Sequence, residues 1–206
     1  MKVILVNGSP HKHGCTYTAL CEIEKTLQSE GIDTEIFWVG NKPISGCIAC
    51  KGCFKTGTCV IDDTVNAFTE KAKDADGFIF GSPVHYAGAS GALTSFMDRA
   101  FYHKAGIYQG KPAAAIASCR RGGASATFDQ LNKYFTICSM PVVSSQYWNM
   151  VHGNTPEEVK QDLEGLQTMR TLGRNMAWIL KCIKAGKEAG IAFPEHEEKV
   201  ATNFIR

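Results

Sequence analysis

The 206-residue chain has no apolar run approaching the roughly eighteen residues that a membrane-spanning helix requires. It has no surplus of either charge, since 22 Lys and Arg against 20 Asp and Glu leave a formal net charge of +2. That balance gives no electrostatic footing for nucleic acid or for an acidic partner. No basic segment followed by a signal-type apolar run opens the chain, and no repeat or low-complexity stretch interrupts it. The expectation is a cytoplasmic protein with neither a membrane nor a nucleic acid among its partners. Two nucleotide fingerprints are also missing. The first Gly/Ser loop lacks the second and third glycines of G-x-G-x-x-G, and no Gly-Lys-Ser/Thr follows it as in a P-loop.

What is abundant is cysteine, nine in all, with Cys47, Cys50, Cys53 and Cys59 crowded into thirteen positions. An odd total clustered in this way, on a chain long enough for a full core, points to a reducing compartment and to metal or redox use. Around this cluster the pattern is regular. Val3-Ile4-Leu5-Val6 reads as a buried strand that stops at Asn7-Gly8-Ser9-Pro10, and a helix opens at Thr16 and ends at Gly31. Residues 34–39 give a second strand. After the cysteine loop, Asp62 or Asp63 can cap a helix through Val65, Phe68 and Ala72. Residues 77–80 are a third strand running into Gly81-Ser82-Pro83, followed by a helix through Leu93, Phe96 and Met97. Strand four spans residues 113–118, a helix follows over 127–135, and strand five is placed at 140–144. Thr155-Pro156-Glu157-Glu158 has the form of a capping box with Pro at the first helical position, and is expected to start the last long helix, to about Lys184.

Strands alternating with helices imply one doubly wound, five-stranded parallel α/β sheet over residues 1–184, with residues 185–206 as an extended polar tail. In such sheets a ligand sits beyond the carboxyl ends of the strands, where the strand order reverses. The loops after strands one, three and four are all rich in Gly and Ser. A strand, a Gly/Ser loop and a helix N-terminus together offer N–H groups to a phosphate.

Gly8-Ser9-Pro10 with Thr16 resembles the phosphate loop of the flavodoxin-like NADPH-dependent FMN reductase family. Gly81-Ser82-Pro83-Val84-His85-Tyr86, with Gly91, Leu93, Phe96, Asp98 and Arg99 behind it, resembles that family's second flavin loop. Together with the cysteine loop and Asp62-Asp63, the pattern resembles the iron–sulfur flavoprotein branch. The resemblance implies an FMN-dependent oxidoreductase. Ser9, His11, Cys15, Thr16 and Tyr17 would sit at the FMN phosphate, and Pro83, Val84, His85, Tyr86 and Ala87 along the ring. Ser118, Arg120, Gly122 and Gly123 would form the third side, with Arg121 as an alternative to Arg120. The family usually has Arg at the position of His11 and often Asn at Cys15, so the charge at His11 becomes pH-dependent. NAD(P)H would dock transiently as electron donor, since no dinucleotide fingerprint is present. No side chain is assigned as a catalytic acid or base, and Asp98-Arg99 is read as a structural pair that positions its helix.

The first three cysteines of the loop (47–59) echo the bacterial ferredoxin spacing, whereas Cys59 follows after five residues, as in iron–sulfur flavoproteins. A [4Fe–4S] cluster is the leading reading. Zinc and an unloaded set of thiols are the alternatives, and two-knuckle spacing would be the usual zinc pattern. The partner is expected to be a small-molecule or protein redox partner such as ferredoxin. A homodimer or homotetramer would cover so exposed a loop. Two other classes stay open: a non-catalytic electron carrier or redox sensor, and a zinc-stabilised interaction module. A cluster-free flavin or quinone reductase is the variant within the enzyme class.

Overall fold

A computed structural model describes residues 1–206 apart from 199, 203, 205 and 206, and leaves the side chains of 103–105 undescribed. Five parallel strands form the sheet: β1 (Lys2–Asn7), β2 (Asp33–Trp38), β3 (Gly77–His85), β5 (Ala113–Cys119) and β6 (Met150–His152). Their order is β2-β1-β3-β5-β6, and a two-residue strand β4 (Gly88–Ala89) folds back antiparallel on β3. The chain runs outward from β1 to β2, then crosses to the other side for β3, so the reversal of strand order lies between β1 and β3.

Both faces of the sheet are covered, which is why its strands are nearly continuous apolar runs rather than alternating ones. Ile4, Val6, Phe78, Phe80 and Ala115 pack with α3 (Thr64–Ala72), α4 (Gly91–Tyr108) and α5 (Ala124–Ile137) on one face. Val3, Leu5, Ile79, Ala114 and Ile116 pack with α1 (Cys15–Ser29) and α7 (Leu163–Glu188) on the other. Two short helices complete the set, α2 (Cys53–Thr56) inside the cysteine loop and α6 (Pro156–Val159).

Three expectations need correction. Strand five is not regular over 140–144. Only Val142 bridges Ala113 there, and the ordered strand forms at Met150–His152. The chain detours between them because the Asn149 side chain occupies the ladder, its Nδ2 donating to Ala115 O at 3.0 Å, while the backbone carbonyl of Asn149 accepts from Ala117 N–H. The capping-box helix is also separate from the last long helix. Thr155 Oγ1 does accept from Glu158 N–H, but the helix it caps ends at Val159. Asp162 then caps α7 by accepting from Gly165 N–H at 2.9 Å, and its other oxygen accepts from His152 N–H on β6. A carboxylate shared between an N–H in the first turn of α7 and an N–H on β6 breaks the run in a way that periodicity does not show. Finally, α7 continues through Glu188, so residues 185–188 are helical rather than the start of an extended tail.

Candidate functional site

The carboxyl ends of β1, β3 and β5 are adjacent, with Asn7 paired to Gly81 and Pro83 paired to Ser118. The loops that leave them are tied to each other by backbone. Gly8 N–H donates to Gly81 O at 2.9 Å. A Cβ on Gly8 would meet that oxygen at 2.9 Å and the Leu93 side chain at 2.7 Å. On the other side Gly123 has φ +90°, and a Cβ there would lie 2.5 Å from Ala87 Cα and 2.8 Å from the Val84 side chain. The third loop therefore closes against the second only because residue 123 has no side chain. Gln130 of α5 adds a further tie by accepting from Ala89 N–H at 3.1 Å.

Within the first loop, Asn7 does work that was not read from sequence. Its Oδ1 accepts from Ser9 N–H at 3.1 Å and its Nδ2 donates to Lys12 O at 3.1 Å. Trp38 Nε1 donates to Ser9 O at 2.8 Å, fixing the loop from β2. The Ser9 hydroxyl accepts from His11 N–H, so it shapes the turn while its own O–H stays available to donate. The helix begins at Cys15, with Gly14 as its N-cap and no side-chain cap, rather than at Thr16. Thr16 is buried and its Oγ1 has no hydrogen-bond partner. An uncapped helix start beside an orphaned buried hydroxyl is what a bound phosphate would satisfy. Cys15 borders the same turn. Burial pushes its thiol pKa up, and Glu158 and Glu157 push it the same way, so it is a neutral thiol near pH 7.

The second loop turns at Tyr86 and Ala87, both at positive φ (49° and 60°), between the paired residues His85 and Gly88. A two-residue turn with both φ values positive is ordinarily filled by Asn and Gly. Holding Tyr and Ala there stores strain of about 1–3 kcal/mol per residue, and Tyr86 is fully exposed. Pro83 and Val84 are half-buried, His85 and Ala87 exposed. In the third loop Ser118 is buried, while Arg120, Arg121 and Gly122 are exposed. Tyr17 lies in the first turn of α1 with His13 edge-on to its ring, and His11 is exposed on the rim. The fourteen residues assigned to this end are thus distributed over the three loops that the topology brings together.

The cysteine loop leaves β2 and lies against α3 and α4. All four cysteines line one small, open concavity, together with Ile61, Arg99 and Tyr102. Burial pushes the Cys53 thiol up, and the neighbouring Cys50 and Cys59 sulfurs add to it. Ala49 and Lys51 sit at positive φ (52° and 59°), so the backbone coils tightly through Cys47–Cys53, with Ala49 N–H 3.4 Å from Cys47 Sγ. Among the described residues no three His, Cys, Asp or Glu side chains are close enough together to hold a single metal ion.

Arg99 holds this loop in place. It is 2 % exposed, and its guanidinium grips Asp63 through both oxygens, at 2.5 and 2.9 Å. It also donates to Ile61 O at 2.6 Å and from Nε to Cys59 Sγ at 3.3 Å. Burial would lower its pKa, but the bonds to Asp63 and Cys59 keep it charged. The Asn66 amide clamps the Cys59 backbone from the other side, accepting from its N–H and donating to its O, both at 3.0 Å. Asp98 and Arg99 are therefore not a pair with each other. Asp98 faces away and accepts from Tyr134 OH. Asp63 was visible in the sequence as a cap, but Arg99 as a partner of Cys59 was not.

The strand order, the covered sheet and the three loops at the β1/β3 reversal define a flavodoxin-like α/β protein. The chain belongs to the NADPH-dependent FMN reductase family, whose model matches residues 1–155, and to its iron–sulfur flavoprotein branch. It is 36 % identical to an iron–sulfur flavoprotein of Methanocaldococcus jannaschii over 192 residues, 89 % of this chain and 100 % of that protein. Among solved structures, a flavodoxin from the domain Archaea superposes with a TM-score of 0.60 at 18 % identity, over 88 % of this chain and 99 % of that one. The protein RosB with bound 8-demethyl-8-formylriboflavin-5'-phosphate superposes with a TM-score of 0.71 at 14 % identity, over 100 % and 94 % of the two chains. Both likenesses speak to fold. Family membership makes the chain a flavin-dependent oxidoreductase by class. Among the described residues no helix is long and apolar enough to cross a membrane.

Proposed function

We propose that the chain binds FMN across the three loops and an iron–sulfur cluster in the four-cysteine concavity, and passes electrons between a donor, the flavin and an acceptor. The observation that carries this reading is the pairing of two prepared sites on one scaffold. One has an orphaned Thr16 hydroxyl at an uncapped helix start; the other has four thiols around one cavity. Ser9, Thr16 and the first N–H groups of α1 would hold the phosphate. The turn at Tyr86 and Ala87, with Gly122 and Gly123, would lie along the ring. Cys47, Cys50, Cys53 and Cys59 would hold a [4Fe–4S] cluster. A flavin exchanges two electrons or one at a time, and a cluster exchanges one, so together they join a two-electron donor to a one-electron partner.

The chain's own contribution is binding, orientation and shielding. The glycines let backbone approach the ring, the coiled loop presents the thiols, and Arg99 and Asn66 fix Cys59. NAD(P)H or reduced ferredoxin is the proposed donor, and the cytoplasm the proposed compartment, with all nine thiols free. Ile48, Phe54, Val60 and Tyr102 are exposed around the cysteine loop, which supports a homodimer or homotetramer that covers it. Sedimentation showing a monomer with an intact cluster would count against that assembly.

The test is anaerobic reconstitution with iron, sulfide and FMN. Cys53→Ser is expected to keep FMN and lose the bound iron, read by metal analysis alongside flavin content. Equal iron in the variant and the parent would remove the cluster from the account. Slow NAD(P)H oxidation combined with fast exchange with ferredoxin would favour a carrier over an enzyme.

A further inference from the structure

We propose that Arg99 sets how readily the four-cysteine site accepts an electron, acting through the hydrogen bond that its Nε–H donates to Cys59 Sγ. The inference rests on the reading that these cysteines hold an iron–sulfur cluster. Three features set this contact apart from an ordinary surface arginine. The guanidinium is buried at 2 % exposure, so its charge is poorly screened. It is locked by the two-pronged bond to Asp63 and the bond to Ile61 O, so the Nε–H has little freedom to turn away from sulfur. And Cys59 is itself fixed, its backbone held on both sides by Asn66.

Adding one electron to a cluster places extra negative charge on iron and sulfur, part of it on the thiolate sulfurs. A fixed N–H and a buried positive charge at one such sulfur stabilise the reduced form more than the oxidised one, and so raise the potential. Asp63 acts in the opposite sense through its own charge, while holding the guanidinium in place. Arg99 is thus a positioning and tuning residue rather than a ligand. It also lies on α4, the helix that starts at Gly91 beside the second flavin loop. Eight residues of helix, about 12 Å of rise, separate that start from Arg99, so one rigid element supports both redox sites.

The experiment compares the potential of the anaerobically reconstituted parent with those of Asp63→Asn, Arg99→Lys and the double variant Arg99→Met with Asp63→Asn, each read by spectroelectrochemical titration alongside iron and FMN content. Asparagine caps a helix as well as aspartate does, so Asp63→Asn keeps the start of α3 while removing the counter-charge. The double variant avoids an unpaired buried carboxylate. Expected are a higher potential in Asp63→Asn than in the parent, the lowest in the double variant, and an intermediate value in Arg99→Lys. A merely structural role would change iron retention without this ordering. Equal potentials in the parent and either Asp63→Asn or the double variant would overturn the inference, and the single variant decides the matter if the double does not fold. A parent that binds FMN but takes up no iron would overturn the cluster reading and this inference with it, a result plainly different from a loaded site whose potential does not move.

Discussion

The two candidate sites of this molecule are held together by different means. At the three-loop end the loops meet chiefly backbone against backbone: Gly8 N–H on Gly81 O, Gly123 against Ala87 Cα, and strand ends brought side by side by the sheet order, with the Asn7, Trp38 and Gln130 side chains adding ties. The cysteine end is held by side chains. Arg99 reaches across 40 residues of sequence to Cys59, and Asn66 clamps the same residue by its amide. A backbone-built site is fixed as soon as the sheet forms. A side-chain-built site can be altered by one substitution without disturbing the fold.

The sharpest way to break this contrast is to place a side chain where two flavin loops touch. Gly123→Ala puts a Cβ onto Ala87 Cα at a residue with φ +90°. It is expected to cost about 2 kcal/mol in loop geometry and to weaken FMN binding by roughly tenfold or more. Fluorescence titration would show it, and iron uptake should remain at the parent level. Undiminished FMN affinity would mean that the second and third loops need not meet.

A smaller effect is expected from Thr16→Val. The hydroxyl is buried without a protein partner, so a methyl of similar shape should leave the melting temperature of the FMN-free protein unchanged or slightly higher. FMN should bind roughly five- to tenfold more weakly, as one hydrogen bond to the phosphate is lost. A fall in apo stability with FMN affinity intact would show that the hydroxyl serves the fold instead.

The smallest effect concerns neither loop and serves as the baseline. Glu35 on β2 is bonded to Lys2 and Lys71, at 2.6 and 2.8 Å. Those bonds hold its carboxyl below the usual range. A depressed carboxyl contributes stability that is present above the unfolded-state pKa, about 4.3, and is lost as pH falls through the folded value. Glu35→Gln should therefore lower stability modestly at neutral pH and show a shallower loss on acidification. Equal slopes for the two proteins in acid denaturation would contradict the ion-pair assignment.

The same contrast explains what could be read in advance. The covered parallel sheet was legible because Val3–Val6 and residues 77–80 are apolar on both sides, and only a doubly wound arrangement buries both. The convergence of the three loops was legible because Gly, Ser and Pro at strand ends are local signals. Strand five and the last helix were misplaced because Asn149 and Asp162 redirect the chain through long-range bonds, with no trace in the hydrophobic period. Cys59 was legible by spacing. Arg99 was not, because a buried cation next to a sulfur leaves no pattern in its own neighbourhood; only the fold reveals its partner. An arginine on the apolar face of a helix, beside Phe96, Met97 and Ala100, was the one available hint.

The most direct test of the account is a reductive titration with dithionite of the anaerobically reconstituted, FMN-loaded protein, followed by its absorbance spectrum. If both sites are present in one chain, the protein will accept about three electrons per FMN, two at the flavin and one at the cluster. An endpoint at about two electrons per FMN in protein carrying its full complement of iron would contradict it.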